Sequence, residues 1–331
     1  MRTERATVSV IIAAFSMKRW DYLREAVASV QAQTIRTLET IVVIDHNSDL
    51  LVRAGTELVD VTVIPNNGQQ GASGARNTGV AASHAEVAAF LDDDAVASPR
   101  WLEALLPHFA DPHVVGVGGR VSPLWATSRP RWFPPEFDWT VGASYQGMPT
   151  GAESVRNVWS NNMAIRRKVF DVVGGFRNDF GKVGARPRPE DTDLCLRAAG
   201  SEVGGTWIYE PAGTVGHQVP AERATLHYFV YRCFNEGIGK AELATMNGRG
   251  RSTSSERQYV RRVLPAAFAR GVREASRGDA SGGLRSFAVV AGLAVSLIGF
   301  LLGRITMVFH MTGIWRGRSA SVAADCYRRR V

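Results

Sequence analysis

Three consecutive aspartates, Asp92 to Asp94, directly follow the apolar run VAAFL at residues 87–91. Such a short apolar run is typical of a strand buried inside a sheet. Carboxylates so close together cannot all stay charged away from water without a cation, because desolvating like charges is costly. The pattern therefore predicts a buried strand whose end holds Mg²⁺ or Mn²⁺ through hard oxygen ligands. A solvated acidic turn is the alternative.

The residues before this run predict the rest of a sheet. Apolar runs at residues 8–15 (VSVIIAAF) and 39–45 (ETIVVID) flank a helical pattern at 21–33, which is typical of a βαβ unit with parallel strands. A short strand at 61–64 and a helix at 73–83 continue the alternation. We therefore predict an α/β fold with a mixed, mostly parallel sheet flanked by helices, whose ligands bind beyond the strand ends.

This sequence lacks the signature motifs of several protein classes. Neither a GxGxxG motif nor a Walker loop follows the first predicted strand, which disfavours dehydrogenases and P-loop enzymes. The three cysteines are far apart, without the spacing of a zinc site or a disulfide framework, so a reducing compartment is expected. The apolar residues 7–15 are too short for a signal peptide.

The second half of the chain has weaker patterns. Residues 114–160 are rich in Trp, Pro and Gly with little periodicity, which favours an elaborated substrate loop. Helices are predicted at residues 166–173, 191–199 and 224–244, with a short strand at 207–209. His217 is expected in a loop, where it is either a structural side chain or a ligand of a metal or phosphate.

The C-terminal segment has a different composition. Much of the net charge of +8 comes from arginines after residue 248, which flank the uncharged residues 286–303, close to the shortest length that spans a bilayer. We predict a catalytic domain at 1–245, a linker at 246–257 and a membrane-associating region at 258–331. Arginines on both sides favour a re-entrant hairpin bent near Gly292 or Gly299, or an interfacial helix pair, over a single crossing. A buried helix or an oligomer interface is the alternative.

The basic charge also predicts the kind of partner. An anionic membrane surface, at the cytoplasmic face of the plasma membrane, is favoured over nucleic acid, because no RNA motif or recognition helix is present. Oligomerisation through the C-terminal helices remains open. The arginines at positions 186, 188 and 232 are candidates for neutralising phosphate or carboxylate, with surface ion pairs as the competing interpretation.

Glu190 and Asp191 form a second acidic pair at the start of a predicted helix. Carboxylates in a first helical turn commonly cap it, so the pair alone does not decide its role. Together with the aspartate triplet it predicts group-transfer chemistry. One carboxylate would remove a proton from an acceptor hydroxyl, while a metal neutralises a departing diphosphate.

The ordered motifs VSVIIAAF, VVIDHNS, GASGARNTG, FLDDD, NNMAIRR with VGGF, and ED resemble the family 2 inverting glycosyltransferases of GT-A fold. The resemblance covers about residues 6–240. It implies a nucleotide-sugar donor, with Asp45 near the base, Arg76 near the nucleotide, Asp93 at the ribose, Asp94 at the metal and Asp191 as general base. The residues expected in catalysis are Asp191 and Glu190, and those expected to bind the metal are Asp94, Asp92 and His217. The residues expected to bind the donor are Ala14, Phe15, Asp45, His46, Arg76, Asp92 and Asp93. The residues expected to bind the acceptor are Trp159, Asn161, Asn162, Arg188 and Arg232.

Departures from the family pattern refine this expectation. His46 stands where many relatives have a uracil-binding Asp, which leaves the base of the expected UDP-sugar open. The absence of a QxxRW motif implies transfer of one sugar. The segments WFPPEFDW and HQVPAERATLHYF are similar to members that transfer glucuronate to a lipid-linked glucose, which implies a lipid-linked sugar acceptor and a uronate contact with Arg188 or Arg156. A non-catalytic scaffold and a nucleotidyltransferase are the alternatives.

Overall fold

The computed structural model describes residues 6–178, 182–183, 186–187, 189–202, 204–247 and 254–311. Its main feature is a nine-stranded mixed sheet. Four strands run parallel in the order β3-β2-β1-β4. The first elements are β1 (Val8–Ala14), α1 (Trp20–Gln31), β2 (Glu39–Ile44), α2 (Ser48–Glu57), β3 (Thr62–Pro65), α3 (Ala72–Ala82) and β4 (Val87–Asp92). The predicted strands and the two predicted helices of this half are confirmed; α2 was not predicted.

The elements that follow β4 are β5 (Ala95–Ala97), α4 (Trp101–Leu105), β6 (Val114–Trp125), β7 (Glu153–Val155), β8 (Asn162–Arg166), α5 (Lys168–Val173), β9 (Lys182–Val183), β10 (Arg186–Pro187), α6 (Glu190–Gly200) and β11 (Thr206–Val219). Strands from this set extend the sheet beyond β4 in the order β8-β6-β11-β5, with β7 paired to β11. β8 runs antiparallel to both of its neighbours, while β6 and β11 are parallel.

Part of the predicted substrate loop is a central strand of the sheet, so that prediction is wrong for residues 114–125. The glycines that weaken the local pattern have a packing role. A Cβ atom on Gly116 would lie 2.1 Å from the ring of Trp207, and one on Gly119 would lie 1.8 Å from the carbonyl oxygen of Gly213. Glycine is needed where the neighbouring strand and its indole approach the backbone this closely.

Two further boundaries differ from the prediction. β11 has 14 residues, far more than the predicted strand at 207–209, and it contains His217, which was expected in a loop. Arg166 ends β8, so the predicted helix at 166–173 begins only at Lys168. In both places Gly, Pro or charged residues interrupt the apolar pattern of a strand, and pairing with strands distant in the sequence stabilises it.

Helices cover both faces of the sheet and create two cores. α1, α2 and α4 contribute to one apolar cluster, and α3, α5 and α6 contribute to the other. A third cluster combines a 3₁₀ helix at Pro135–Val141 with the C-terminal helices. These helices are α7 (Leu226–Asn247), α8 (Ser254–Gln258), a π-helical turn (Tyr259–Val263), α9 (Leu264–Ser276) and α10 (Ala280–Met311).

α10 is one continuous helix, so the predicted hairpin is wrong. Both glycines expected to bend it are instead contact points. A Cβ atom on Gly299 would lie 2.1 Å from the carbonyl oxygen of Phe234 in α7, and one on Gly292 would lie 2.5 Å from the ring of Phe137. Residues 280–307 are long and apolar enough to cross a membrane, with a mean hydropathy of 2.2 over an 18-residue window. The arginines after residue 311 lie outside the described residues.

Candidate active site

A large cleft opens at the carboxyl ends of the parallel strands. Its volume is about 3000 Å³, compared with about 300–1,000 Å³ for typical small-molecule sites. The walls come from the end of β1, the turn after β4, the start of α6 and parts of α7, α8 and α10. Asp94 and Asp191 both line this cleft, so the two predicted acidic groups share one site.

The turn after β4 carries the aspartate triplet into the cleft. Asp93 and Asp94 are almost completely buried, with exposed fractions of 3% and 4%. Nη1 of Arg19 lies 2.7 Å from Oδ1 of Asp93 and 3.0 Å from Oδ2 of Asp94. Arg19 was not predicted as a site residue, although its position five residues after β1 places a cation beside the strand ends. It offsets part of the charge of the triplet.

Asp92, Asp94 and His217 form a group suited to a metal ion. One ligand atom of each lies within 4.8 Å of the others, and Nε2 of His217 is 3.4 Å from Oδ1 of Asp94. Strand pairing fixes this geometry, because His217 in β11 is opposite Ala95, the residue that follows the triplet. Two carboxylates and one imidazole leave coordination positions for diphosphate oxygens.

Two buried polar atoms next to this group have no hydrogen-bond partner among the described residues: Oδ2 of Asp93 and Nδ1 of His217. Buried polar atoms without partners are rare, and a bound ion or ligand is a common reason for them. The donor atoms present therefore fit a divalent cation with an anionic ligand.

The protonation of the triplet follows from its surroundings. Burial raises the pKa of Asp93 to about 7, although the Arg19 charge acts in the opposite direction. Burial would also raise the pKa of Asp94, but the contact with His217 and the charge of Arg19 outweigh it and lower that pKa to about 2. Asp94 is thus an anion throughout the physiological pH range, as a metal ligand must be.

Arg76 connects the metal-binding side of the cleft to the second acidic pair. From α3, its Nη2 lies 2.9 Å from Oδ1 of Asp92 and its Nη1 lies 3.2 Å from Oε1 of Glu190. Burial and the neighbouring Asp191 raise the pKa of Glu190 to about 7, against the effect of Arg76. Glu190 therefore changes charge near neutral pH.

Asp191 occupies the first turn of α6, beside Glu190. Its Oδ1 accepts a hydrogen bond of 2.7 Å from the backbone N–H of Thr192, which orients the carboxylate. Burial raises the pKa of Asp191, while this hydrogen bond and the charge of Arg76 act in the opposite direction. A raised pKa makes the ionised form a stronger base.

Four of the predicted donor residues lie at or just after the ends of β1 and β2: Ala14, Phe15, Asp45 and His46. Ala14, Phe15 and Asp45 line the cleft, and the ring of Phe15 is exposed. The carboxylate of Asp45 accepts hydrogen bonds from Nδ2 of Asn66 at 2.6 Å and from the backbone N–H of Gly71 at 2.9 Å. Asp45 therefore holds the loop before α3 in place.

His46 is not among the lining residues of the cleft. Its backbone adopts a left-handed conformation with φ of 50°, and its Nδ1 lies 2.9 Å from Oδ1 of Asp45. The side chain of His46 is exposed and contacts Asp45. Its donor-binding role stays a prediction.

The predicted acceptor residues divide into two groups. Trp159, Asn161 and Arg232 line the cleft. Asn162 is 1% exposed and its side chain is fully engaged, accepting from Nε1 of Trp101 and donating to the carbonyl oxygens of Arg120 and Gly213. The structure places Asn162 inside the sheet, where it joins strands, and it is not among the residues that line the cleft. Arg188 lies outside the described residues.

Known proteins identify the family. Residues 9–174 match the model of glycosyl transferase family 2. The chain belongs to that family. It is 34% identical over 238 residues to the glucosyl-dolichyl phosphate glucuronosyltransferase of Haloferax volcanii, covering 70% of this chain and 76% of the relative. It is 33% identical over 186 residues to the pre-mycofactocin glycosyltransferase of Mycobacterium tuberculosis, covering 56% of this chain and 37% of that protein.

Solved structures show the fold of this family 2 glycosyltransferase. The mannosyltransferase PcManGT from Pyrobaculum calidifontis, solved with GDP-Man and Mn²⁺, aligns with a TM-score of 0.58 and 18% identity over 92% of this chain and 88% of its own. GalNAc-T7 with UDP, GalNAc and Mn²⁺ aligns with a TM-score of 0.52 and 18% identity over 73% and 52%. The predicted GT-A fold and glycosyltransferase class are confirmed.

Proposed function

We propose that this family 2 glycosyltransferase transfers one sugar, with inversion, from a UDP-sugar to a lipid-linked sugar acceptor such as a polyprenyl-phosphate sugar. The reaction depends on Mg²⁺ or Mn²⁺ and takes place at the cytoplasmic face of the plasma membrane. The observation that carries the proposal is the shared cleft: the metal-binding group of Asp92, Asp94 and His217 lies across Arg76 from the half-buried pair Glu190 and Asp191.

The metal would be held by Asp92, Asp94 and His217. When bound there, a divalent cation supplies positive charge to the diphosphate that leaves the sugar. Arg19 adds a fixed positive charge beside the triplet, at 2.7 Å from Asp93. Because this charge is present before the reaction, it stabilises the developing diphosphate without any rearrangement of the protein.

Asp191 would act as the general base. It accepts the proton of the acceptor hydroxyl while the hydroxyl oxygen bonds to the anomeric carbon and the bond to the diphosphate breaks. One direct displacement of this kind inverts the anomeric centre. The hydrogen bond from Thr192 fixes the orientation of the carboxylate, and burial, by raising its pKa, strengthens it as a base.

The apolar wall of the cleft supports a lipid-linked acceptor. Leu293, Leu297 and Phe300 of α10 line the cleft, so the membrane-type helix borders the reaction site. The face of α10 turned away from the protein is apolar and exposed at Leu284, Phe287, Val290, Ile298, Leu301, Leu302 and Ile305. Contact of this face with a bilayer would bring a lipid-linked acceptor to the mouth of the cleft.

The proposal also concerns which sugar the donor carries. The Haloferax volcanii relative is named for glucuronate transfer to a glucosyl-dolichyl phosphate. Arg156, one of the two arginines predicted to meet a uronate, lines the cleft with its side chain 11% exposed. UDP-glucuronate is therefore our first candidate donor. Expected oligomerisation through the C-terminal helices and the domain limits at residues 245 and 257 remain predictions.

A substrate screen tests this function directly. The full chain is incubated with Mn²⁺, a panel of UDP-sugars and a short polyprenyl-phosphate-glucose, and both nucleotide release and product mass are measured. The proposal expects UDP release coupled to a disaccharide-linked lipid with inverted anomeric configuration. Release of pyrophosphate would identify a nucleotidyltransferase instead, and a retained configuration would contradict the single displacement.

A further inference from the structure

Resting on the proposed function, we infer that Arg156 and Lys240 form an anion subsite in the cleft, for a singly charged group with two equivalent oxygens carried by a substrate. Glu256 fills this subsite in the structure. A uronic acid carboxylate on the donor and a phosphodiester on the acceptor both have this chemistry.

The contacts around Glu256 have the geometry of a built anion site. Nη1 and Nη2 of Arg156 lie 2.6 Å and 2.9 Å from Oε2 and Oε1 of Glu256. Nζ of Lys240 lies 2.7 Å from the same Oε1. The paired contacts of a guanidinium with two oxygens match carboxylate and phosphate equally well. Two cations from separate elements thus converge on one oxyanion.

The three side chains come from distant parts of the chain. Arg156 follows β7, Lys240 belongs to α7, and Glu256 belongs to the five-residue helix α8. Arg156 and Lys240 are the more buried, with 11% and 17% of their side chains exposed, while Glu256 is 30% exposed. The cations therefore belong to the wall of the cleft, and Glu256 is the more accessible partner.

The charge balance identifies what could replace Glu256. Lys240 also lies 3.3 Å from Oε1 of Glu236, one turn earlier in α7. In the described ion pairs, Arg156 and Lys240 face the carboxylates of Glu256 and Glu236. A substrate group of charge −1 in the place of Glu256 would keep this local charge, and burying a charge is costly unless it stays paired. The low pKa of Glu256, about 2, has the same cause: burial would raise it, but Lys240 and Arg156 outweigh that effect.

The subsite lies on the same side of the cleft as the proposed base. The Lys240 charge is among those acting on Asp191. A Cβ atom on Gly239, the neighbour of Lys240, would lie 3.1 Å from Cδ of Pro189, next to the acidic pair. An anionic group held here would position a substrate near Asp191, and Glu256 would compete with it.

Binding measurements with Glu256→Gln test the inference. The full chain, with Mn²⁺, is titrated with UDP-glucuronate against UDP-glucose, and separately with a short polyprenyl-phosphate-glucose against the matching neutral prenyl glucoside. Loss of the competing charge should tighten binding of the member that carries the carboxylate or the phosphodiester by about fivefold or more, because charge-assisted contacts are the stronger hydrogen bonds. The member of the same pair that lacks this group should change by less than about twofold. The pair that responds identifies the source of the anion.

Two further variants separate this result from general effects. Glu25→Gln removes the same charge from an exposed residue of α1 outside the cleft and should leave all four affinities unchanged. Arg156→Gln with Glu256→Gln removes both partners of the pair, keeps the net charge, and should abolish the gain. Equal changes for the two members of a pair, no change in either pair, or a gain that persists without Arg156 would each overturn the inference. Because the readout is binding, it stands even if no sugar transfer is found.

Discussion

The guanidinium of Arg76 lies 3.2 Å from the carboxylate of Glu190, although 114 residues separate them in the chain. Arg76 also contacts Asp92 at 2.9 Å, so one buried cation joins the metal-binding group to the acidic pair at the start of α6. This contact keeps the two acidic groups at opposite ends of one guanidinium. In the proposed reaction, donor departure and proton removal would take place in one connected polar network.

The raised pKa values of Glu190 and Asp191 predict how stability and activity depend on pH. Burial, together with Asp191, raises its pKa from 4.5 to about 7, so between these values the folded chain binds a proton that the unfolded chain has lost. Stability therefore falls as pH rises from about 4.5 to about 7. Activity should rise with pH as Asp191 becomes ionised, because its pKa is also raised and only the ionised carboxylate accepts a proton.

Urea unfolding of wild type and Glu190→Gln at pH 5, 6 and 7 measures this effect. The variant should lose part of the pH dependence, because Asp93, whose pKa burial also raises to about 7, is still present. Glu103→Gln, at an exposed ion pair with Arg100, is the matched control and should behave as wild type. Equal pH dependence in Glu190→Gln and wild type would show that Glu190 is not the group responsible.

His217 predicts the strength of metal binding. Replacement by Gln removes the imidazole ligand from the group with Asp92 and Asp94. Mutating groups that only support a metal ligand costs about 10- to 100-fold in affinity, so losing a ligand should weaken Mn²⁺ binding at least about tenfold. Titration followed by electron paramagnetic resonance measures free Mn²⁺. His84→Gln, at an exposed site, is the control, and equal affinities in the two variants would remove His217 from the metal site.

The close packing at the glycines of α10 predicts how substitutions there change the stability of the protein. In Gly299→Ala the new Cβ would lie 2.1 Å from the carbonyl oxygen of Phe234, so α10 must move away from α7. Overpacking of this kind costs about 1–3 kcal/mol, measured as the free energy of unfolding in detergent. Gly283→Ala in the same helix has only Ala275 within reach, at 3.8 Å, and should be neutral or stabilising. Similar losses in both variants would contradict the packing described.

The outer face of α10 predicts membrane binding. Phe287 and Leu301 are 71% and 60% exposed, and replacing both with Ser removes apolar surface that a bilayer would cover. Burying one such side chain is worth about 1.5–3 kcal/mol, so the double variant should bind anionic vesicles at least about tenfold more weakly in a co-sedimentation assay. Val52→Ser with Val59→Ser, at positions 70% and 69% exposed on the catalytic domain, should bind like wild type. Unchanged binding of the α10 variant would place the contact elsewhere.

The parallel strands were predictable because each is a continuous apolar run. β1, β2 and β4 are buried on both faces, and their sequences have few polar residues to confuse the pattern. The position of Asp92 to Asp94 at a strand end followed from the same run. This part of the fold depends on local sequence, and the sequence was sufficient for it.

The central strand β6 was missed because its pattern depends on distant residues. Gly116 and Gly118 weaken the apolar run, yet the first makes room for the ring of Trp207 and the second for the side chain of Val158. The same holds for Gly292 and Gly299, which read as bends and are contacts with distant residues. The sequence alone does not distinguish a glycine that allows close packing from one that allows the chain to turn.

The acidic residues of the candidate site could be predicted from the sequence, but the cations that pair with them were harder to predict. Asp94 and Asp191 were named from their motifs, and both line the cleft. Arg19 was not, and neither was the pairing of Arg156 with Glu256 across 100 residues. Ion pairs of this kind are set by the folded geometry, since any of the many arginines could meet a given carboxylate.

The most direct test of the central claim compares Asp191→Asn with wild type. Binding of Mn²⁺ and UDP is measured together with single-turnover transfer from a productive UDP-sugar. Asn keeps the size of the side chain but cannot take the proton, so binding of Mn²⁺ and UDP should stay within about twofold while transfer falls by about 10²-fold or more. Transfer at the wild-type rate in Asp191→Asn would contradict the account.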